Sequence, residues 1–192
     1  MNEKITIRIK EKKGAEINRA AVAVLLFLYV IVLLWIIVFK CNVNSQLNIE
    51  RNLAIPLWER FTRRIIPFMD IYYMFVNKIS VWNVLAFFFN TICCIPAGML
   101  LGFFVSKRWG LLLSGIFILG VEVFQLFSGW GGFEPTDIFM NLLGVYIGYI
   151  IFDALYKRIS DKAINGAVLV CLCIAIPVAV FAVIRTALNF PV

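Results

Sequence analysis

Along this chain, long apolar runs alternate with short stretches that hold nearly all of the charge. A helix that crosses a bilayer needs about 20 predominantly apolar residues. Runs of that kind occur at about 20–39, 81–105, 111–127, 137–156 and 164–188, each bounded by charge, Gly or Pro. The pattern predicts an all-α, polytopic membrane bundle of about five transmembrane helices. A basic segment, residues 1–19, precedes the bundle, and a long loop, 40–80, follows the first span. The third run is barely long enough to cross. A charged head before an apolar run is also the plan of a secretory signal peptide. Here the run is longer than a typical h-region and no A-x-A-like site follows Phe39, so it reads as an uncleaved anchor.

The long loop has a pattern of its own. Leu57, Phe61, Ile65 and Phe68 fall at helical spacing with Trp58 beside them, while Arg60, Arg63 and Arg64 lie toward the other side. One reading is a helix of two or three turns in the plane of the membrane, interrupted by Pro67, with its arginines toward lipid head groups. The other is a solvated loop with scattered arginines. The sequence leaves both open.

Composition sharpens the membrane reading. Hydrophobic residues make up 62% of the chain and charged residues 15%, against about 45–50% and 25% in soluble domains. So large an apolar excess does not fit inside one small core, and the surroundings must be lipid. The net charge is +7, but Lys and Arg sit in short clusters between apolar runs, as they do beside membrane helices. Nucleic acid is therefore a poor fit as partner. With the N-terminus inside, eleven Lys and Arg residues fall in cytoplasmic segments and seven outside, which favours a cytoplasmic N-terminus. The five cysteines show no C-x-x-C spacing and there is no histidine, which argues against a zinc site of the usual kind. No cofactor is called for.

The polar residues at membrane depth carry the chemistry. A charge at the bilayer centre costs from about 2.5 kcal/mol upward, so such residues usually face protein or water and serve function. Glu122 and Gln125 share one face near the end of the third run, with Gly115 one heptad earlier. Asp137 and Asn141 stand four apart at the start of the fourth, where Asp137 is either an N-cap or a ligand contact. Gly144-Val-Tyr-Ile-Gly148 continues that face as a G-x-x-x-G motif. The second run has Asn90, readable as a packing hydrogen bond or a contact, and Gly98-Met-Leu-Leu-Gly102. Small residues at this spacing let helices approach closely, within the chain or in self-association through Gly98/Gly102 or Gly144/Gly148. Between the third and fourth runs lies Ser128-Gly-Trp-Gly-Gly-Phe-Glu134-Pro-Thr136, predicting a hairpin. That hairpin gathers Glu122, Gln125, Glu134, Asp137 and Asn141 within about two helical turns of the outer surface.

Read in order, Glu122-x-x-Gln125, a Gly-rich turn and Phe133-Glu134-x-x-Asp137-x-x-x-Asn141-x-x-Gly144-x-x-x-Gly148 resemble the signature of the VanZ-like family. Upstream, Ile66-Pro67-Phe68 and Asn90-Thr-Ile-Cys-Cys-Ile-Pro96-Ala-Gly98 resemble its I-P-F and N-x-x-x-F-x-P-x-G elements. The resemblance runs from about 64 to 152. Two positions depart from it. Gly131 stands where the family commonly has an arginine, and Thr136 stands where an acidic residue commonly precedes the aspartate. Arg60, Arg63 or Arg64 are the available substitutes for the missing cation.

The resemblance implies a multi-pass protein of the bacterial cytoplasmic membrane, related to a glycopeptide-resistance accessory protein that confers low-level resistance to teicoplanin. The expectation is a non-enzymatic envelope protein. It would bind a lipid-linked cell-wall precursor or another amphiphile at the outer leaflet through Glu122, Gln125, Asp137, Asn141, Glu134, Asn90 and Arg64, with membrane lipids as its surroundings. A carboxylate acid–base enzyme acting on a lipid is the alternative, opposed by the lack of histidine, of G-x-S-x-G and of a metal cluster. A small transporter is a third reading, opposed by the lack of an inverted repeat.

Overall fold

The computed structural model of the chain describes residues 16–39, 45–62, 65–69, 76, 81–130 and 133–189. All regular structure among them is helical: α1 (Arg19–Phe39), α2 (Ser45–Leu53), α3 (Leu57–Thr62), α4 (Val81–Leu101), α5 (Lys107–Ser128), α6 (Pro135–Tyr156) and α7 (Asp161–Asn189). Four of these, α1, α5, α6 and α7, are long and apolar enough to cross a membrane, and α4 contains a shorter apolar stretch, Phe87–Leu101. At about 1.5 Å per residue, a helix of 21 or 22 residues matches a hydrocarbon core about 30 Å thick.

The distribution of polarity is that of a membrane protein. Phe27, Ile116, Phe127, Ile174 and Phe181 are exposed around the bundle, while Thr91, Ser114, Glu122, Gln125, Glu134, Thr136 and Asn141 are buried inside it. In water this arrangement would leave an apolar surface far beyond what a monomer tolerates. In lipid it is the cheap one, because each buried polar group finds protein instead of hydrocarbon.

Four helix pairings build the bundle. The most extensive joins α4 and α6, which run parallel: Thr91 meets Met140, Cys94 meets Asn141, and Gly102 meets Phe152. Glycine makes this approach possible. A Cβ on Gly144 would collide with the Thr91 carbonyl, one on Gly148 with the Ile95 carbonyl, and one on Gly98 with the Val145 carbonyl. Gly98, Gly144 and Gly148 are thus spent on packing within one chain. The second pairing is the α5–α6 hairpin, closed by Gly129 in the left-handed conformation at φ 76°.

The third pairing sets α1 parallel to α7. At one end Asn18 caps α1 by accepting the Ala21 N–H at 3.1 Å, and its own N–H donates to Asn165 Oδ1 at 2.9 Å. Val22 and Leu25 pack on Val168, and at the other end Trp35 meets Phe181 edge-on at 6.1 Å. The α1–α4 contact is tied by the Tyr29 hydroxyl, which donates to the Cys93 carbonyl.

Several element ends differ from the sequence-based expectation. The third span begins at Lys107 rather than 111, which makes it fully long enough to cross. Lys107 and Arg108 lie in its first turn, where long stems let charged heads reach the interface; the Lys107 ammonium also sits 5.0 Å from the centre of the Tyr146 ring. The second span ends at Leu101, because 102–106, though partly apolar, forms the tight connection into α5. In the long loop α2 is an element the apolar pattern did not show. The helix expected from Leu57 onward is only α3, six residues long. Ile65 lies outside any helix, and Phe68 occupies a turn at φ 62°, so the four apolar residues do not form one helical face.

Candidate functional site at the α5–α6 turn

The polar residues singled out by the sequence converge on the end of the bundle that carries the α5–α6 turn. Glu122 projects from α5 and is 1% exposed. Its Oε2 accepts the Glu134 N–H at 2.9 Å. Glu134 is the N-cap residue of α6 and Pro135 follows at the first helical position, a place where proline's missing N–H costs nothing. The carboxylate therefore sits under the N-terminus of α6, where unpaired N–H groups and the helix dipole favour negative charge.

One turn further along α5, Gln125 is also buried. Its amide nitrogen donates to the Ile37 carbonyl at 3.1 Å. Ile37 is in the last turn of α1, so Gln125 satisfies a carbonyl the helix itself leaves without a partner. Arg60 does the same for α5: its guanidinium donates to the Leu126 carbonyl at 2.7 Å, placing a cation at the helix C-terminus. Of the two open readings of the loop, the one with arginines toward lipid head groups does not hold for Arg60, which is bonded to α5. With Leu126 buried, its carbonyl draws the donor inward. Asn52 adds a third tie, donating to the Gly129 carbonyl at 2.8 Å.

Asp137 is not the N-cap of α6. Pro135 starts the helix earlier and leaves Asp137 in the first turn, half-buried, with its N–H donating to the Glu134 carbonyl at 2.9 Å. Glu134 itself is buried beside it. Asn141 lies one turn deeper and its Oδ1 accepts from the Cys94 thiol at 3.2 Å. Asn90 is half-buried on α4, one turn from Cys94. Glu122, Gln125, Glu134 and Asp137 thus share the turn end, whereas Asn141 belongs to the α4–α6 seam below it. Arg63, Arg64 and Gly131 lie outside the described residues.

Sequence reasoning passed over three contributors. The Thr91 hydroxyl donates to the Met140 carbonyl at 2.9 Å, and Cys94 bonds Asn141. Both share a helical face with Gly98, and that spacing was the available signal. Thr136, noted only as a departure from an acidic position, is buried and its hydroxyl accepts the Phe68 N–H at 2.8 Å. It anchors the strained Phe68 turn to α6, which an acidic oxygen would do as well.

An aromatic strip borders the site. Trp58 and Phe61 lie 5.9 Å apart, Phe61 and Phe133 5.4 Å, and Phe68 packs on Phe139 at 5.7 Å. Of these rings Trp58 is amphipathic, the kind that favours the membrane–water boundary. Among the described residues, no group of three His, Cys, Asp or Glu side chains is placed to hold a metal ion. Chemically, the end offers acidic side chains, a guanidinium and aromatic faces at the rim of an apolar bundle.

Comparison with known proteins agrees with this geometry. Protein VanZ of Enterococcus faecium is 25% identical over 152 residues, covering 76% of this chain and 81% of that protein. No solved structure matches the chain. The VanZ/LLP1 family model matches residues 26–156, from within α1 to the end of α6, and so includes both the turn-end site and the α4–α6 seam. On that match, the chain belongs to the VanZ/LLP1 family.

Proposed function

We propose that this protein binds the polar head of a lipid-linked cell-wall precursor or similar amphiphile at the outer leaflet of a bacterial cytoplasmic membrane, and that this lowers susceptibility to lipoglycopeptide antibiotics such as teicoplanin. The observation that carries the reading is the placement of Glu122, fully buried yet bonded to the N-terminus of α6, at the same end as Arg60 and the Trp58–Phe61–Phe133 strip. Acidic groups and amide donors suit a head group bearing sugar or peptide, and the Arg60 guanidinium, committed to the Leu126 carbonyl, adds positive charge to this end. The aromatic strip suits its boundary with the acyl region. A cytoplasmic N-terminus, favoured by the Lys and Arg distribution, puts this end outside. Binding is preferred to catalysis because the hydrogen bonds here tie helix ends together instead of linking a nucleophile to a base.

The test is teicoplanin susceptibility of cells that carry Glu122→Gln or Asp137→Asn at equal protein level. Loss of protection in either supports the site. Wild-type protection in both removes it from the argument.

A further inference from the structure

The bundle is not closed between α1 and α5. These helices make little direct contact, and the bond from Gln125 to the Ile37 carbonyl joins them at the turn end. Below that bond lies a cavity of about 330 Å³, walled by α1, α4, α5 and α6. It extends from Leu26 to Ile37 along α1 and from Leu113 to Val121 along α5, or about 12–16 Å at the helical rise. Its wall is apolar apart from Ser114, Cys94 and Asn141, and the last two bond each other. Leu113 lies at its edge and is exposed on the lipid-facing side, so the slot opens sideways into the bilayer.

Three physical points select the occupant. An empty slot of this size forfeits dispersion contacts along its whole wall. The solvent at its mouth is hydrocarbon, and its wall offers little to a polar molecule. Its length matches one leaflet, which is half of a core about 30 Å thick, whereas a long polyprenyl chain would have to fold or protrude. The upper end, at Ile37 and Val121, lies below the bond between Gln125 and the Ile37 carbonyl.

We infer that the slot seats one acyl chain of a lipid from the leaflet at the turn end, with its head group at the rim of that end, outside the bond between Gln125 and Ile37. This rests on the reading of that end as a head-group site and selects, among the amphiphiles that end would take, one that carries acyl chains over a polyprenyl-linked one.

The experiment uses the full chain in nanodiscs of phosphatidylglycerol doped with a phosphatidylglycerol that carries a diazirine midway along one acyl chain. After photolysis, labelled positions are mapped by mass spectrometry. Labelling at Leu34 and Val121 should exceed that at exposed Ile174 and Phe181 of α7 several-fold. Leu34→Trp and, separately, Val121→Phe should remove the excess and leave α7 labelling unchanged, which also reports an intact bundle. Equal labelling of slot and α7, or no response to either filling variant, overturns the inference. Displacement of the label by trace undecaprenyl phosphate, but not by excess unlabelled phosphatidylglycerol, overturns the acyl assignment. Slot labelling that persists while both Glu122→Gln and Asp137→Asn keep wild-type teicoplanin susceptibility supports the slot and sinks only the functional reading.

Discussion

The Glu122 side chain reaches across the α5–α6 turn and accepts the Glu134 N–H at 2.9 Å, so the end of one spanning helix is clamped to the start of the next by a buried carboxyl group. A hydrogen bond to a charged group contributes about 1.5–3 kcal/mol, and leaving its partner unsatisfied costs the desolvation of that partner.

This relationship predicts an ordered series. Glu122→Gln keeps an oxygen acceptor and should retain most of the stability, whereas Glu122→Leu should lose about 1.5–3 kcal/mol. Thermal unfolding in detergent checks it. Equal stability of the two variants would show that the bond to α6 contributes nothing.

Glycine substitutions should divide by location. Gly148→Ala drives a Cβ into the Ile95 carbonyl, and Gly144→Ala drives one into the Thr91 carbonyl. Each forces α4 and α6 apart and should cost about 1–3 kcal/mol, as overpacking does. Gly120 and Gly166 have nothing within 4 Å of a Cβ. Alanine there should be neutral or stabilising by up to about 1 kcal/mol, because it favours the helix. Thermal shift of the four variants at equal detergent concentration separates the classes, and a uniform response would contradict the seam.

Arg60 should act as a clamp on the end of α5. Arg60→Ala removes the donor to the Leu126 carbonyl and should raise hydrogen exchange in α3 and in the last turn of α5, leaving α7 unchanged. Arg60→Lys should restore part of the protection, since an ammonium supplies charge and a donor without the planar fork. Unchanged exchange in both variants would make the contact incidental.

Orientation is testable with the five cysteines replaced by Ser. A cysteine at Trp130 should react with a membrane-impermeant maleimide in intact cells, and one at Ser160 should react only after the membrane is opened. The reverse pattern would place the turn end in the cytoplasm and remove the proposed outer-leaflet ligand.

Apolar run length by itself determined that this chain is a bundle of membrane helices, because the cost of exposing apolar surface to water, or backbone to lipid, is local and large. It also marked Glu122, Gln125, Asp137 and Asn141, since lipid makes each of them expensive wherever the helices end up. Other features were decided only by the tertiary structure. Whether Gly144 faced another chain or α4 depended on which helix stood beside it, and Thr91, Cys94 and Gly98 supplied that face. Arg60 turned inward because the carbonyl of Leu126, in the last turn of α5, needs a donor, and no periodicity in the loop records that need. The slot between α1 and α5 is the clearest case. Its residues are ordinary apolar positions in sequence, and it exists because α1 packs on α7 and α4 while α5 packs on α6, leaving a gap the helices do not close.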